Sequence, residues 1–265
     1  MHLLIFIKYL FEFFVLKLIF IILQILPNKF SAVIISNTIL FFSKITKYNK
    51  IAKNNCKIVF PNLSDQEISK IINISWKNLG KNILEINYLK NLINDKNAIK
   101  IEGLEILEKI KRDETQVIFF SIHSSNWEVC VPILDQNSFN VGAIYRHINN
   151  PFLNKYILKK RKEALITKNS FYTPKGKISA KEILEGVTNN KHIFLLIDQK
   201  DSAGTLIDFF GKKVKTQTGF LKIARKYNLK IVPMKNIRLP DNKLEITFEE
   251  PLDHRNNLIS DAEKM

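Results

Sequence analysis

Gln116-Val117-Ile118-Phe119-Phe120-Ser121-Ile122 is the stretch that decides the fold. It is short and nearly continuous in apolar residues, as in a strand covered on both faces by helices. A strand with one face in water would alternate instead. Comparable runs lie at Phe139 to Tyr145, His192 to Ile197 and Lys230 to Ile237. Leu244 to Phe248 alternates and is expected at a sheet edge. Helical segments near 151–165, 177–189 and 217–228 fall between the runs. Strands alternating with helices predict an α/β domain with a mainly parallel sheet.

Toward the N-terminus the period is helical. Ser64 and Glu67 form the pattern of a capping box. The helix behind it carries Ile68, Ile71, Ile72, Trp76, Leu79, Ile83 and Leu84, and a second helix is expected from Gly103 to Ile110. Leu3 to Leu26 is the strongly apolar stretch, interrupted by Lys8, Glu12, Lys17 and Gln24. It is long enough to span a bilayer, but each ionisable group costs about 2.5–3.5 kcal/mol near a helix centre. Lys8 and Glu12, one turn apart, can neutralise each other. A spanning anchor, an interfacial helix and a helix buried in the globular part are the three readings. Glu12 and Lys17 interrupt the apolar region and no small-residue cleavage site follows, which argues against a secretory signal. Lys29, Lys44, Lys47, Lys50, Lys53 and Lys57 follow, so the bulk of the chain is expected on the cytoplasmic side. Val33 to Phe42 adds apolar surface at helical spacing. The expected organisation is a membrane anchor or interfacial helix over 1–27 and one globular domain over 28–265.

Composition narrows the function classes. A chain of 265 residues fits one large α/β domain and needs no disulfide staples. Hydrophobic content of 46% excludes a disordered chain. Cys56 and Cys130 stand far apart and outside any C-x-x-C pattern, so structural zinc is not expected. The formal charge of +16 suits anionic lipid, an acidic protein or nucleic acid as partner, and a lysine-rich compositional bias explains part of it. No interleaved basic and aromatic motif occurs, so nucleic acid is not expected as a partner. In a chain whose default cation is Lys, its six arginines point to positions that need a planar fork.

The run at 117–122 leads into His123-Ser124-Ser125-Asn126-Trp127-Glu128. Sites in α/β sheets gather beyond the carboxyl ends of strands. On one helix, five residues turn about 500°, which would separate His123 from Glu128. The two can meet only with His123 in the strand-end loop and Glu128 in the first helical turn, where Asn126 can cap. A carboxylate on one imidazole nitrogen fixes the tautomer and makes the other nitrogen a base. The bland alternative is a half-buried histidine satisfied by a nearby carboxylate. There is no metal-ligand cluster, P-loop or G-x-S-x-G elbow, so no cofactor is expected.

His123 and Glu128 match the H-x-x-x-x-[DE] motif of the bacterial late lipid A acyltransferases, the lauroyl/myristoyl transferase family, which the chain resembles over most of its length. Asn62-Leu63-Ser64 after Phe60-Pro61, with Glu67, Asn78, Gly80 and Glu85, fits the N-terminal region of that family. Gly103 and Glu105 fit the element before the catalytic strand. Tyr145-Arg146 with Asn150-Pro151 matches a second block, and Arg161 falls where the family has a functional arginine. Asp198-Gln199, then Phe209-Phe210-Gly211 and Thr216-Gln217-Thr218-Gly219, form the most specific run. Ser124-Ser125 departs from the usual aromatic and glycine, and relatives usually continue past the position of Met265.

The resemblance implies a glycerol-3-phosphate acyltransferase-like fold. It also implies transfer of a fatty acyl group from acyl carrier protein to a hydroxyl of a 3-hydroxyacyl chain on a Kdo-modified lipid A precursor, at the inner membrane. In that chemistry His123 is the base and Glu128 its orienter. Arg161 stabilises negative charge or a phosphate. Asp198 pairs with Arg161 or organises the site. Arg146, Gln199 and Thr216 bind substrate, and Phe209, Phe210 and Gly211 shape an acyl pocket. Lys212, Lys213 and Lys215 meet acidic carrier protein or lipid phosphates. The competing readings are a glycerophospholipid or lysophospholipid acyltransferase, which usually has Asp at the position of Glu128, and an inactive membrane-bound homologue.

Overall fold

A computed structural model of the chain describes residues 3–252 and 258–265. The chain divides into two compact units, Met1–Leu89 with Ile148–Lys160, and Lys90–His147 with Arg161–Met265.

The first unit begins with four helices, α1 (Leu3–Ile25), α2 (Asn28–Lys44), α3 (Lys47–Val59) and α4 (Asp65–Glu85). The capping box forms at the start of α4: Glu67 Oε2 accepts from Ser64 N at 2.8 Å, and Ser64 Oγ accepts from Glu67 N at 3.3 Å. Gly80 lets α2 and α4 close together, since a Cβ there would lie 2.8 Å from the Ser36 Cα. Leu23, Ile35 and Leu84 form one small core, and Cys56, Ile68 and Ile72 another. One face of α1 packs on the 148–160 segment, where Phe152 meets Phe6 and Phe13 and Tyr156 stacks on Phe20. Glu12 lies on that side and accepts from Asn150 Nδ2 at 3.1 Å. Leu4, Phe11, Leu18 and Ile25, spaced seven apart, are exposed. The apolar stretch is thus helical, and no helix among the described residues is long and apolar enough to cross a membrane.

From Leu89 the chain runs through α5 (Leu89–Asn94), β1 (Ile99–Glu102), α6 (Leu104–Arg112), β2 (Val117–Ser121), α7 (Cys130–Gln136) and β3 (Val141–Tyr145). Then come α8 (Pro151–Glu163), β4 (Phe171–Pro174), α9 (Lys177–Thr188), β5 (His192–Leu196), β6 (Lys200–Phe209) and β7 (Lys212–Thr216). The last elements are α10 (Gly219–Tyr227), β8 (Lys230–Arg238), β9 (Leu244–Phe248) and α11 (Leu258–Lys264). Seven strands form a sheet in the order β1-β9-β8-β2-β5-β3-β4, and β6 pairs with β7 in a separate hairpin. Every pairing in the large sheet is parallel except β8 with β9. The mainly parallel α/β sheet read from the sequence is therefore present. Val117, Ile118 and Phe119 of β2 are fully buried, as the continuous run requires.

Leu244 to Phe248 is not an edge strand. A tight turn, with Leu239 N donating to Lys243 O, returns β9 antiparallel to β8, and β1 then covers its other side. β1 is four residues long and alternates, and its Lys100 bridges Glu102 and Glu245, so it carries little apolar signal of its own. Gly103, at φ 76, ends it with a close approach that a side chain would block: a Cβ would lie 2.2 Å from Phe248 O.

Candidate active site

The register of the central strands places the first two groups. β2 and β5 are parallel neighbours with Ser121 opposite Leu196, and Ile197 N donates to Ser121 O across their ends. Two residues beyond that matched pair come His123 and Asp198. Asp198 Oδ1 lies 2.6 Å from His123 Nδ1, and its Oδ2 accepts from the His123 backbone N–H at 2.9 Å. A carboxylate only accepts, so Nδ1 carries the proton and Nε2 is left as the acceptor nitrogen. The Gln199 amide Nε2 stands 3.1 Å from His123 Nε2, the arrangement of a donor facing that lone pair. Burial pushes the Asp198 carboxyl up, but hydrogen bonds and charge from His123 outweigh it and hold the group below its ordinary range. Trp127 meets the imidazole edge to face at 5.1 Å.

The loop after β2 is held from below by β8. Ser124 Oγ donates to Asn236 O at 2.8 Å, and Asn236 Nδ2 donates to Asn126 O at 2.5 Å. Asn126 Oδ1 in turn accepts from Glu128 N at 3.1 Å and caps the short turn 127–129 that leads into α7. Ser125 sits at φ 46, a left-handed conformation that glycine adopts more easily. The capped turn aims Glu128 at Arg161. Arg161 Nε reaches Glu128 Oε2 and Nη2 reaches Oε1, both at 2.6 Å. This fork is largely buried, with 16% of the arginine side chain and 11% of the glutamate exposed. The guanidinium also lies over the rings of Tyr145 and Tyr172. Burial alone would lower the Arg161 pKa, but the Glu128 charge and hydrogen bonds raise it, so the group stays charged. Burial likewise pushes the Tyr172 phenol up and keeps it neutral.

His123, Trp127, Glu128, Arg161 and Tyr172 line a cavity of about 170 Å³ at the carboxyl ends of β2, β3 and β5, with Arg146, Lys175, Gln199 and Gln217 at its polar wall. The model of the family described as bacterial lipid A biosynthesis acyltransferase matches residues 1–264 of the chain. The chain belongs to the bacterial lipid A biosynthesis acyltransferases. No curated protein matches it.

In this acyltransferase the sequence-derived candidates divide into three groups. His123, Glu128, Arg146, Arg161 and Gln199 line the cavity together, and Asp198 backs His123. The expected pairing is exchanged: Asp198, not Glu128, holds the imidazole, and Glu128, not Asp198, holds Arg161. The physical reason is the parallel register, which brings two strand-end residues closer than loop and helix can. Phe209, Phe210, Gly211 and Thr216 are not among the lining residues: the first three stand at the tip of the β6–β7 hairpin, and Thr216, at its foot beside the lining residue Gln217, faces Lys200 and Thr205 across the ladder. Cys130 is fully buried and its thiol is pushed up to about 12 by burial, which suits packing and not nucleophilic attack.

Sequence reasoning missed Trp127, Tyr172, Lys175, Gln217 and the supporting Asn236. Trp127 and Gln217 lie inside the quoted motifs and needed only to be asked about. Tyr172 and Lys175 sit on and just after β4, a four-residue strand with little apolar signal. Asn236 interrupts an apolar strand, and a fully buried amide in such a place must have a hydrogen-bonding task.

Proposed function

We propose that this acyltransferase moves a fatty acyl group, such as lauroyl or myristoyl, from acyl carrier protein to a hydroxyl of a 3-hydroxyacyl chain on a Kdo-lipid A precursor. The observation that carries the proposal is the polarised imidazole, with Nδ1 tied to Asp198 and Nε2 turned to a cavity that also holds a charged arginine fork. The acceptor hydroxyl takes the place of the Gln199 amide at His123 Nε2 and gives up its proton there as its oxygen attacks the thioester carbonyl. General base help of this kind contributes typically about 10²–10⁴ in rate. The tetrahedral intermediate bears an oxyanion, which Arg161 stabilises through Nη1, an edge of its fork not used by Glu128 in the hydrogen bonds described. The carbon–sulfur bond then breaks, and the imidazolium returns its proton to the leaving thiolate. Asp198 stabilises the imidazolium between these steps, and Glu128 fixes the plane of Arg161. Arg146 and Lys175 bind the phosphates of the lipid or of the carrier's prosthetic arm.

In this reading residues 1–27 attach the protein to the cytoplasmic face of the inner membrane as an interfacial helix, and 28–265 carry the transfer. The exposed apolar row of α1, with Phe30, Val33, Phe41 and Phe42 also exposed on α2, supports attachment along the membrane plane. Incubation of the purified protein with acyl carrier protein charged with laurate or myristate and a Kdo-lipid A precursor tests the proposal. The precursor is expected to gain the mass of one acyl group in step with released carrier thiol. Release of free fatty acid without acylated lipid, or acylation of a lysophospholipid in its place, would refute it.

A further inference from the structure

The hairpin of β6 and β7 carries Phe209, Phe210 and Gly211 of the specific sequence run, and none of the three lines the cavity. Its feet are at the site: Gln199 precedes β6, Gln217 follows β7, and both line the cavity. From Thr205 opposite Thr216 the strands pair without interruption to Phe209 opposite Lys212, which carries the tip about 14 Å from its base. Ile207 is buried, but Phe209 and Phe210 are 54% and 57% exposed and touch each other edge to face at 4.7 Å. The two loop residues, Phe210 and Gly211, have φ of 51 and 70. That is the two-residue turn for which Asn-Gly is the favoured sequence. A phenylalanine in the left-handed region is strained. A position that spends stability to present a bulky ring to solvent is a functional candidate. Lys212 stands opposite Phe209, and Lys213 and Lys215 are exposed behind it on β7; Asp208, 3.4 Å from Lys213, and Glu263, which accepts from the Asp208 N–H at 2.9 Å, offset part of their charge.

We propose that this tip is a wedge that enters an anionic lipid surface, with Phe209 and Phe210 among the upper acyl chains, Lys213 and Lys215 at the level of the headgroup phosphates, and Lys212, beside Phe209, extending its long stem back toward them. Rings at the tip with Lys213 and Lys215 behind them match the order of chemistries met on entering a bilayer. A protein partner fits less well. A specific complex buries about 800 Å² on each side, and two phenylalanines supply about 150–250 Å² each. A lipid surface needs no such area, because each ring and each lysine contributes to attachment on its own. The consequence for the site is that its rim is tied to the surface that holds its lipid acceptor. This goes beyond the acyl-transfer reading and uses it only for that last consequence.

Phe210→Trp in the full-length protein tests the wedge without any turnover. The emission gained over the parent protein is recorded on vesicles of phosphatidylethanolamine and phosphatidylglycerol, with plain or brominated acyl chains. The wedge requires that brominated chains lower the gained emission about twofold and that acrylamide in the water lose access to it. Phe209→Trp is the second probe, for the case that the strained turn rejects the larger ring. Gained emission that brominated lipid leaves unchanged, and that acrylamide still quenches on vesicles, would overturn the proposal. So would shielding of the probe by an acidic carrier protein in solution with none by vesicles. Because neither readout involves acyl transfer, its failure is separable from failure of the catalytic reading.

Discussion

Asp198→Asn separates the two possible orienters of His123. In the protein Asp198 accepts twice from His123, from the ring at 2.6 Å and from the backbone N–H at 2.9 Å. An asparagine has one oxygen, and the backbone N–H can only donate, so that oxygen must stay on it. The amide NH₂ then faces Nδ1 and forces it to be an acceptor. The proton moves to Nε2, and the nitrogen that should take the hydroxyl proton already carries one. Turnover should therefore fall about 10²–10⁴-fold, equivalent to about 3–5 kcal/mol at 1.36 kcal/mol per decade. The fold should survive, because both hydrogen bonds are retained in number. The assay is acyl transfer from carrier protein followed by mass spectrometry, with thermal unfolding beside it. Since folding lowers the Asp198 pKa, its contribution to stability is fully present above the unfolded value of about 3.9 and is lost as pH falls through the folded value. Any stability gap between Asp198→Asn and the parent should shrink as pH falls below about 4. Near-normal turnover in Asp198→Asn, with loss in Glu128→Gln that Arg161 variants do not share, would refute the exchanged pairing.

Further outcomes follow from other parts of the molecule. Arg161→Lys keeps the charge but not the fork on Glu128, and should lose turnover nearly as Arg161→Ala does; full activity in both would place Arg161 outside the chemistry. His192 Nδ1 accepts from Val117 N, and burial lowers its pKa to about 4, so the folded protein resists a proton that the unfolded chain takes up near 6.5. Stability should decline as pH falls from about 6.5 toward 4, and His192→Asn, which keeps an acceptor without titrating there, should flatten that part of the melting-temperature profile. Gly103→Ala should destabilise by on the order of 2–4 kcal/mol, since its Cβ would overlap Phe248 O at an already left-handed residue; an unchanged midpoint in urea would contradict the close packing of β9.

Much of this was legible in the sequence, for identifiable reasons. β2, β3, β5 and β8 declare themselves because strands buried on both faces must be apolar throughout. α4 declares itself through Ser64 and Glu67. β1 and β4 do not, because a four-residue strand is too short to be told from loop, and the misplacement of β9 at an edge followed from missing β1. His123, Glu128, Arg161 and Asp198 all stand out in the sequence, and the structure brings them together. What failed was their pairing, because spacing along the chain favours Glu128 as the partner of His123 while parallel register across the sheet favours Asp198. Phe209 and Phe210 read as a lipid-binding pocket because an apolar pair in a motif suggests burial. Only the hairpin geometry shows them exposed.

The most direct measurement is the mass of lipid A from otherwise identical cells that lack the protein, carry it, or carry His123→Ala at equal abundance. The expected result is a lipid A species heavier by one fatty acyl group in cells with the parent protein, absent in the other two. Lipid A of the same mass in all three, with a change confined to glycerophospholipids, would contradict transfer to a lipid A precursor through His123.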